Sequence, residues 1–300
     1  MKLTALITGP SSGIGLDLAH LFAEDGHDVV LVARSEGKLR ALAAELESKH
    51  NINARVIVAD LARPEAPREV FAAAPAIDVL VNNAGFGISG RFAETAARTE
   101  LEIIQVNIAA LTHLTKLFLP QMVERRRGRI LNVASTAAFQ PGPLMAVYYA
   151  SKAFVLSFSE AIAEELRGTG VTVSALCPGP TATDFQKTAN LGSEALLQMM
   201  KPGSSMDVAR AGYRGLMRGQ RVIIPGMKNK MGVQVVRITP RGLVTRVVRA
   251  LQERRMKVNR AARNGISRMR RRSSGRSRIA GRSRWKVTGR SNDSARRAHP

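Results

Sequence analysis

Apolar residues occur in two patterns that alternate along this chain. The first is a short continuous run rich in valine, isoleucine or leucine, as in a strand buried on both faces. Seven such runs occur, at residues 3–8, 27–33, 54–60, 77–85, 129–135, 171–177 and 221–226. The second is a longer segment with apolar residues at helical spacing, found at residues 14–22, 36–48, 65–73, 95–126, 146–167 and 206–218.

Strands that alternate with helices in this way predict a parallel sheet with helices packed on both faces. The expected fold class is therefore α/β, with a doubly wound, Rossmann-like parallel sheet of about seven strands. Ligands of such sheets bind at the carboxyl ends of the strands. Those ends hold residue types that a nucleotide site can use, at residues 9–15, 33–34, 60–61, 82–85, 135 and 178–183.

The loop after the first strand is rich in glycine, with Gly9, Gly13 and Gly15 at the start of a predicted helix. Glycine permits a tight turn and lets the backbone approach a pyrophosphate, which the helix N-terminus then binds. The spacing G-x3-G-x-G differs from the dinucleotide fingerprint G-x-G-x-x-G, and a plain strand-to-helix turn is the alternative interpretation.

The second strand ends in Ala33 and Arg34, where a site for NAD would carry an acidic residue. An arginine pairs with the 2′-phosphate of NADP, which a carboxylate would repel. Ser11 and Ser12 offer further hydrogen bonds to that phosphate. These residues favour NADP over NAD, and the alternative for Arg34 is a solvated surface charge.

Tyr148 and Lys152 lie four residues apart in a segment with helical periodicity and no glycine or proline. One helical turn brings the ammonium close to the phenol, and a positive charge at that distance lowers the pKa of the phenol toward neutrality. Such a phenol suits proton transfer to or from a substrate oxygen. A chance pairing is the alternative, and Tyr149, whose i+4 partner is Ala153, is expected to be a bystander.

The net charge of +23 comes almost entirely from the C-terminal quarter of the chain. Residues 226–300 hold 23 of the 46 basic residues but only two of the 23 acidic ones. Residues 1–225 are therefore nearly balanced and are expected to form one ordinary domain, whose function can be inferred without reference to the tail.

Cysteine content and the N-terminus both favour a cytoplasmic location. Cys177 is the sole cysteine, so no intrachain disulfide can form, which fits a reducing compartment. The apolar run at the N-terminus is too short for a signal peptide or a membrane span.

The C-terminal region divides at about residue 256. Residues 226–255 are expected to be a basic amphipathic helical extension, with a helix that starts at Thr239-Pro240 and can lie on an anionic membrane, on the domain or on a second subunit. Its apolar face would comprise Leu243, Val244, Val247, Val248 and Leu251. Residues 256–300 are rich in arginine and serine, so we expect a disordered tail that contacts nucleic acid or phospholipid electrostatically, or has no role.

The order of the motifs in residues 1–225 resembles that of the short-chain dehydrogenase/reductase family. The motifs are Thr8-Gly9-x3-Gly13-x-Gly15, Asn82-Asn83-Ala84-Gly85, Asn107, Ser135, Tyr148-x3-Lys152 and Pro178-Gly179. With Arg34 and the segment PGPTAT, the chain is similar to the NADP-type subgroup, in which reductases of ketones, aldehydes or acyl chains are found.

The resemblance implies a role for each site residue. Tyr148 would be the catalytic acid/base, Ser135 would hydrogen-bond the substrate carbonyl, and Lys152 would lower the pKa of Tyr148 and bind the nicotinamide ribose. Asn107 would hold a water that links Lys152 to solvent. The cofactor-binding residues would be Gly9, Ser11, Ser12, Gly13, Ile14, Gly15, Arg34, Asp60, Leu61, Asn82, Ala84, Gly85, Tyr148, Lys152, Pro178, Gly179, Thr181 and Thr183.

The resemblance further implies a homo-oligomer and a substrate lid at residues 185–206, whose Phe, Leu and Met content indicates an apolar substrate or a flexible lid. The spacing of the histidines indicates no metal site. The sequence therefore favours an NADP(H)-dependent oxidoreductase that acts on a carbonyl or alcohol, in the cytoplasm or at the periphery of a membrane. The alternative is a nucleotide-binding scaffold that acts through its basic tail on nucleic acid or an anionic membrane.

Overall fold

The protein is described by a computed structural model that covers residues 2–181, 203–254 and 256. Seven parallel strands form one sheet in the order β3-β2-β1-β4-β5-β6-β7. The strands are β1 (Thr4–Thr8), β2 (Asp28–Ala33), β3 (Ala54–Val58), β4 (Val79–Asn82), β5 (Gly128–Val133), β6 (Val171–Leu176) and β7 (Val222–Ile223). The order confirms the predicted doubly wound sheet.

Helices connect consecutive strands and continue beyond the last one. They are α1 (Gly13–Glu24), α2 (Glu36–His50), α3 (Ala66–Ala73), α4 (Ala97–Ile104), α5 (Leu111–Glu124), α6 (Ala146–Glu165), α7 (Ser205–Met217), α8 (Met227–Ile238) and α9 (residues 241–254). A π-helical segment, Gln105–Ala110, joins α4 to α5. Helix α8 lies where the sequence predicted no separate element, because only the proline at the start of α9 gave a clear boundary.

Both faces of the sheet are covered, which explains why the strands are apolar without interruption. Successive side chains of β1 point to opposite faces. Ile7 packs in one core layer with Phe22 of α1. Leu6 packs in the other layer with Phe118 of α5.

The sheet order reverses at β1, which lies between β2 and β4. Connections leave this point in opposite directions, so a crevice opens at the carboxyl ends of β1 and β4. The glycine loop after β1 and the asparagine-rich loop after β4 therefore meet at this switch point.

Helices α8 and α9 pack against the domain that contains the sheet. Asn229 of α8 donates a hydrogen bond to the Pro225 carbonyl over 2.7 Å, and the Arg237 guanidinium lies 5.6 Å from the centre of the Phe139 ring. In α9, Val244 and Val248 are buried.

Only part of the predicted apolar face of α9 is buried. Val244 and Val248 face the domain, whereas Leu243, Val247 and Leu251 are half exposed. The two sets are neighbouring i, i+4 rows of one helix, and only one row fits against the domain.

Candidate active site

The glycine loop is held against the β4 loop by a compact set of hydrogen bonds. The Asn83 side chain donates to the carbonyls of Thr8 and Gly9 over 2.9 and 3.1 Å. The Thr8 hydroxyl accepts from the backbone amides of Asn83 and Ala84, each over 3.0 Å. This packing requires glycine, because a Cβ on Gly9 would lie 3.0 Å from the Ala84 Cα and a Cβ on Gly15 would collide with the Asn83 amide.

Tyr148, Ser135 and Lys152 come together at the end of β5. The Ser135 hydroxyl forms a hydrogen bond with Tyr148 and accepts another from the Ala137 amide over 3.1 Å. Lys152 is buried, and its ammonium donates to the Val133 carbonyl over 2.8 Å. The ammonium lies 5.9 Å from the centre of the Tyr148 ring.

Asn107 lies in the π-helical segment and supports this cluster from behind. Its amide donates to the Phe86 carbonyl over 3.0 Å and to the Ser151 hydroxyl over 2.9 Å, and its oxygen accepts from the Phe86 amide over 3.1 Å. The Ser151 hydroxyl in turn donates to the Tyr148 carbonyl over 2.7 Å. A π-bulge often marks a functional site, and here it carries the side chain that links α6 to the β4 loop.

Burial governs the ionisation of the tyrosine and the lysine. It raises the pKa of Tyr148, and the hydrogen bond between Tyr148 and Ser135 only partly offsets this effect. Burial lowers the pKa of Lys152 from 10.5 to about 8. Burial of the phenol thus outweighs the lowering that the spacing predicts from Lys152, whose ammonium donates to the Val133 carbonyl.

One cavity of about 740 Å³ runs along the carboxyl ends of the strands. It brings together most of the residues expected from the sequence. These are Gly9, Ser11, Ser12, Gly13, Ile14, Arg34, Asp60, Leu61, Ala84, Gly85, Ser135, Tyr148, Lys152, Pro178, Gly179 and Thr181.

Four expected residues stand outside this lining. Asn82 is buried behind it, where its amide donates to Thr115 and Asn132 over 3.1 and 2.9 Å. Gly15 packs against the β4 loop. Asn107 lies behind the residues that line the cavity, where it hydrogen-bonds Phe86. Thr183 lies outside the described residues, as do residues 185–202 of the expected lid.

Sequence reasoning missed the residues that α9 adds to the cavity, which are Val248, Leu251 and Gln252. The Gln252 amide donates to the Tyr149 hydroxyl over 3.0 Å, and Tyr149 itself lines the cavity. Tyr149 therefore contributes to the wall of the cavity, a position that its spacing did not predict. No local signal could reveal this contact, because its two residues are 103 positions apart.

Sequence comparisons place these features among known proteins. Residues 3–194 match the family described as short chain dehydrogenase. The oxidoreductase YvaG of Bacillus subtilis is 36% identical over 212 residues, which cover 70% of this chain and 78% of that protein. The human very-long-chain 3-oxoacyl-CoA reductase is 35% identical over 189 residues, and the match covers 61% of each chain.

Solved structures agree with this assignment. A short-chain dehydrogenase from Sphingobium yanoikuyae in complex with NADPH has a TM-score of 0.72 and 34% identity, covering 78% of this chain and 93% of that one. A short-chain dehydrogenase/reductase from Burkholderia phymatum in complex with NAD has a TM-score of 0.70 and 25% identity, covering 78% and 92%. With the strand order and the cavity described above, these matches establish that the chain belongs to the short-chain dehydrogenase/reductase family of oxidoreductases, which act on carbonyl and alcohol groups.

Proposed function

We propose that the protein is an NADP(H)-dependent oxidoreductase that interconverts a carbonyl and an alcohol on an apolar substrate, with Tyr148 as general acid/base. One observation carries this proposal. Tyr148, Ser135 and Lys152 line the same cavity as the glycine loop and Arg34. A nucleotide bound along that cavity would have one end at the glycine loop and the other at the tyrosine.

The loops at the switch point fit a nicotinamide dinucleotide. Gly9 and Gly13 have positive φ angles of 68° and 59°, so the turn before α1 has a conformation that glycine adopts without strain. The N-terminus of α1 then faces the cavity through Ser12, Gly13 and Ile14, as a pyrophosphate requires. NADPH, when bound there, supplies the hydride for the carbonyl carbon.

Arg34 and Ser11 support NADP over NAD. Both line the same cavity, Arg34 just after β2 and Ser11 in the glycine loop. Two charge-assisted hydrogen bonds from a guanidinium suit a 2′-phosphate. Related structures hold NADPH in one case and NAD in another, so the preference rests on these side chains.

Protonated Tyr148 suits the reductive direction. Its raised pKa keeps the phenol neutral near pH 7, so it can donate a proton to the oxygen of a carbonyl that also accepts a hydrogen bond from Ser135. The phenolate left behind is stabilised by the Lys152 ammonium 5.9 Å from the ring centre. Asn107 acts as a positioning residue, since it holds Ser151 and thereby the backbone of Tyr148.

The apolar wall of the cavity indicates an apolar substrate. Phe86, Met145, Val248 and Leu251 line it beside Tyr148. Proteins similar to this chain include very-long-chain 3-oxoacyl-CoA reductases, a 7β-hydroxysteroid dehydrogenase and an alcohol dehydrogenase specific for bulky-bulky ketones. These names refer to compounds with a long acyl chain, a steroid skeleton or bulky groups on a ketone.

The buried lysine argues against a pure binding scaffold. Burying an ammonium costs several kcal/mol unless hydrogen bonds compensate. A nucleotide-binding scaffold that acts through a basic tail has no need of this cost, whereas an oxidoreductase uses the charge beside its tyrosine.

The proposal is tested by titrating the purified full-length chain with NADPH and with NADH. A panel of apolar ketones and aldehydes is then assayed by loss of nicotinamide absorbance. We expect tighter binding of NADPH and turnover of at least one bulky ketone. Failure to bind either nucleotide would reject the proposal, and equal binding of both would reject its NADP preference.

A further inference from the structure

Exposed apolar side chains are concentrated in the two C-terminal helices. Twelve large apolar side chains are exposed among the described residues, and seven of them lie between residues 227 and 251. Helix α8 contributes Met227, Met231, Val235 and Ile238, which are 57 to 85% exposed. Their spacing of three or four residues forms a stripe along one side of the helix. Contiguous exposed apolar surface usually marks an interaction site.

Helix α9 adds a second stripe. Leu243, Val247 and Leu251 are each at least half exposed, while the neighbouring row faces the domain. The helix thus has one apolar row that packs on the domain and a second apolar row that is about half exposed.

Both stripes are surrounded by positive charge. Residues 227–254 contain seven lysine and arginine residues, all exposed, and a single acidic residue, Glu253. Glu253 is paired with Arg249 over 2.9 Å. The surface therefore combines apolar stripes with a strong positive field.

This combination favours a lipid bilayer over the other candidate occupants. A second copy of the chain in a two-fold contact would bring two positive surfaces together. Single-stranded nucleic acid binds by charge and by stacking on aromatic rings, and residues 227–254 contain no aromatic residue. An anionic bilayer accepts both features, because apolar side chains enter the headgroup region while basic ones remain at the phosphates.

We propose that α8 and α9 form a docking surface for an anionic lipid bilayer. This inference is independent of the cofactor and of catalysis. It has a consequence for access to the cavity, since Leu251 belongs to the exposed stripe and also lines the cavity. A docked protein would therefore have the apolar edge of its cavity beside the membrane.

The test measures partition of the full-length chain onto vesicles by sedimentation. One set of vesicles is phosphatidylcholine alone and the other is an equal mixture with phosphatidylglycerol. We expect at least about tenfold stronger partition onto the mixed vesicles. The double variant Met231→Ser/Val235→Ser should lose about tenfold of that partition. Arg241→Glu/Arg246→Glu should lower the preference for the anionic lipid by about tenfold, while the basic tail keeps its own contribution.

A matched control tests whether vesicle binding depends on the stripe or on any exposed apolar side chain. Leu101 and Val58 are 64 and 49% exposed but lie elsewhere, so Leu101→Ser/Val58→Ser should bind vesicles within about twofold of the parent. The basic tail is intact in every variant, so its contribution to vesicle binding is the same for the parent and for each variant.

Several results would overturn the inference. Equal partition of the parent and Met231→Ser/Val235→Ser would show that charge alone binds the vesicles, and no partition of the parent would reject docking outright. A smaller mass of this variant in light scattering without lipid would identify a second copy as the occupant. A lower midpoint of thermal unfolding in Met231→Ser/Val235→Ser than in the parent would indicate that a segment of the same chain covers the stripe.

Discussion

The strand ends and helix α9 form different parts of one cavity, and they do so by different means. At the strand ends the shape is set by backbone, because Gly9 approaches Ala84 closely and Asn83 binds two carbonyls of the glycine loop. At α9 the shape is set by side chains on one helix, anchored by the hydrogen bond from Gln252 to Tyr149. A backbone-defined site leaves little freedom for its ligand, whereas a wall of side chains changes with single substitutions. We therefore propose that the first region binds the cofactor and that the second selects the substrate.

The sharpest test of this division uses two adjacent tyrosines. Tyr148→Phe removes the proton donor and should lower kcat about 10²- to 10⁴-fold, while the Kd for NADPH stays within about twofold. Tyr149→Phe is the matched control, because the hydroxyl that it removes accepts a hydrogen bond from α9 and is not the proposed proton donor. It should change kcat only a few-fold. Comparable losses of kcat in both variants would break the division.

The buried lysine predicts a pH-dependent stability. Lys152 has a pKa of about 8 when folded and 10.5 ordinarily, so the unfolded chain binds more protons between these values. The free energy of unfolding must then rise with pH across this window, by roughly 3 kcal/mol in total. Below about pH 8 the lysine is charged in both states, so the full cost of burying its ammonium destabilises the folded protein.

Lys152→Met removes the titrating group and serves as the reference. Denaturant unfolding of both proteins from about pH 7 to pH 10 should show the parent gaining stability relative to the variant. Parallel curves would mean that the lysine has an ordinary pKa in the folded protein.

Cofactor preference gives a smaller effect in the backbone-defined region. Arg34→Ala should weaken NADPH binding about tenfold and leave NADH binding unchanged, because only NADPH carries the 2′-phosphate. Lys38 is an exposed basic residue near Arg34 that does not line the cavity, so Lys38→Ala should leave the affinities for NADPH and NADH unchanged. Fluorescence titration measures all four affinities. A loss of NADH binding in Arg34→Ala would assign the arginine a role other than phosphate recognition.

The two regions also differ in how far the sequence could predict them. Strands with continuous apolar runs and glycines at their ends are local patterns, so the sheet and most of the cavity lining followed from them. The position of Asn82 did not, because two adjacent asparagines at the end of β4 point to opposite sides of the strand. The ionisation of Tyr148 also depended on burial, which spacing cannot reveal. Contacts of α9 join residues more than 100 positions apart and leave no local signal.

The smallest predicted effect lies in α9 and decides whether that helix selects the substrate. Gln252 is buried, and its side-chain oxygen has no hydrogen-bond partner among the described residues. Gln252→Leu keeps the volume of the side chain approximately and removes the hydrogen bonds that its amide donates to the Tyr149 hydroxyl and, more weakly, to the Met145 sulfur over 3.7 Å. Because one hydrogen bond contributes about 1 kcal/mol, the variant should shift KM for a bulky ketone several-fold, with the Kd for NADPH unchanged. A shift in the affinity for NADPH instead would show that α9 acts on the whole cavity, and the separation between a cofactor region and a substrate region would no longer hold.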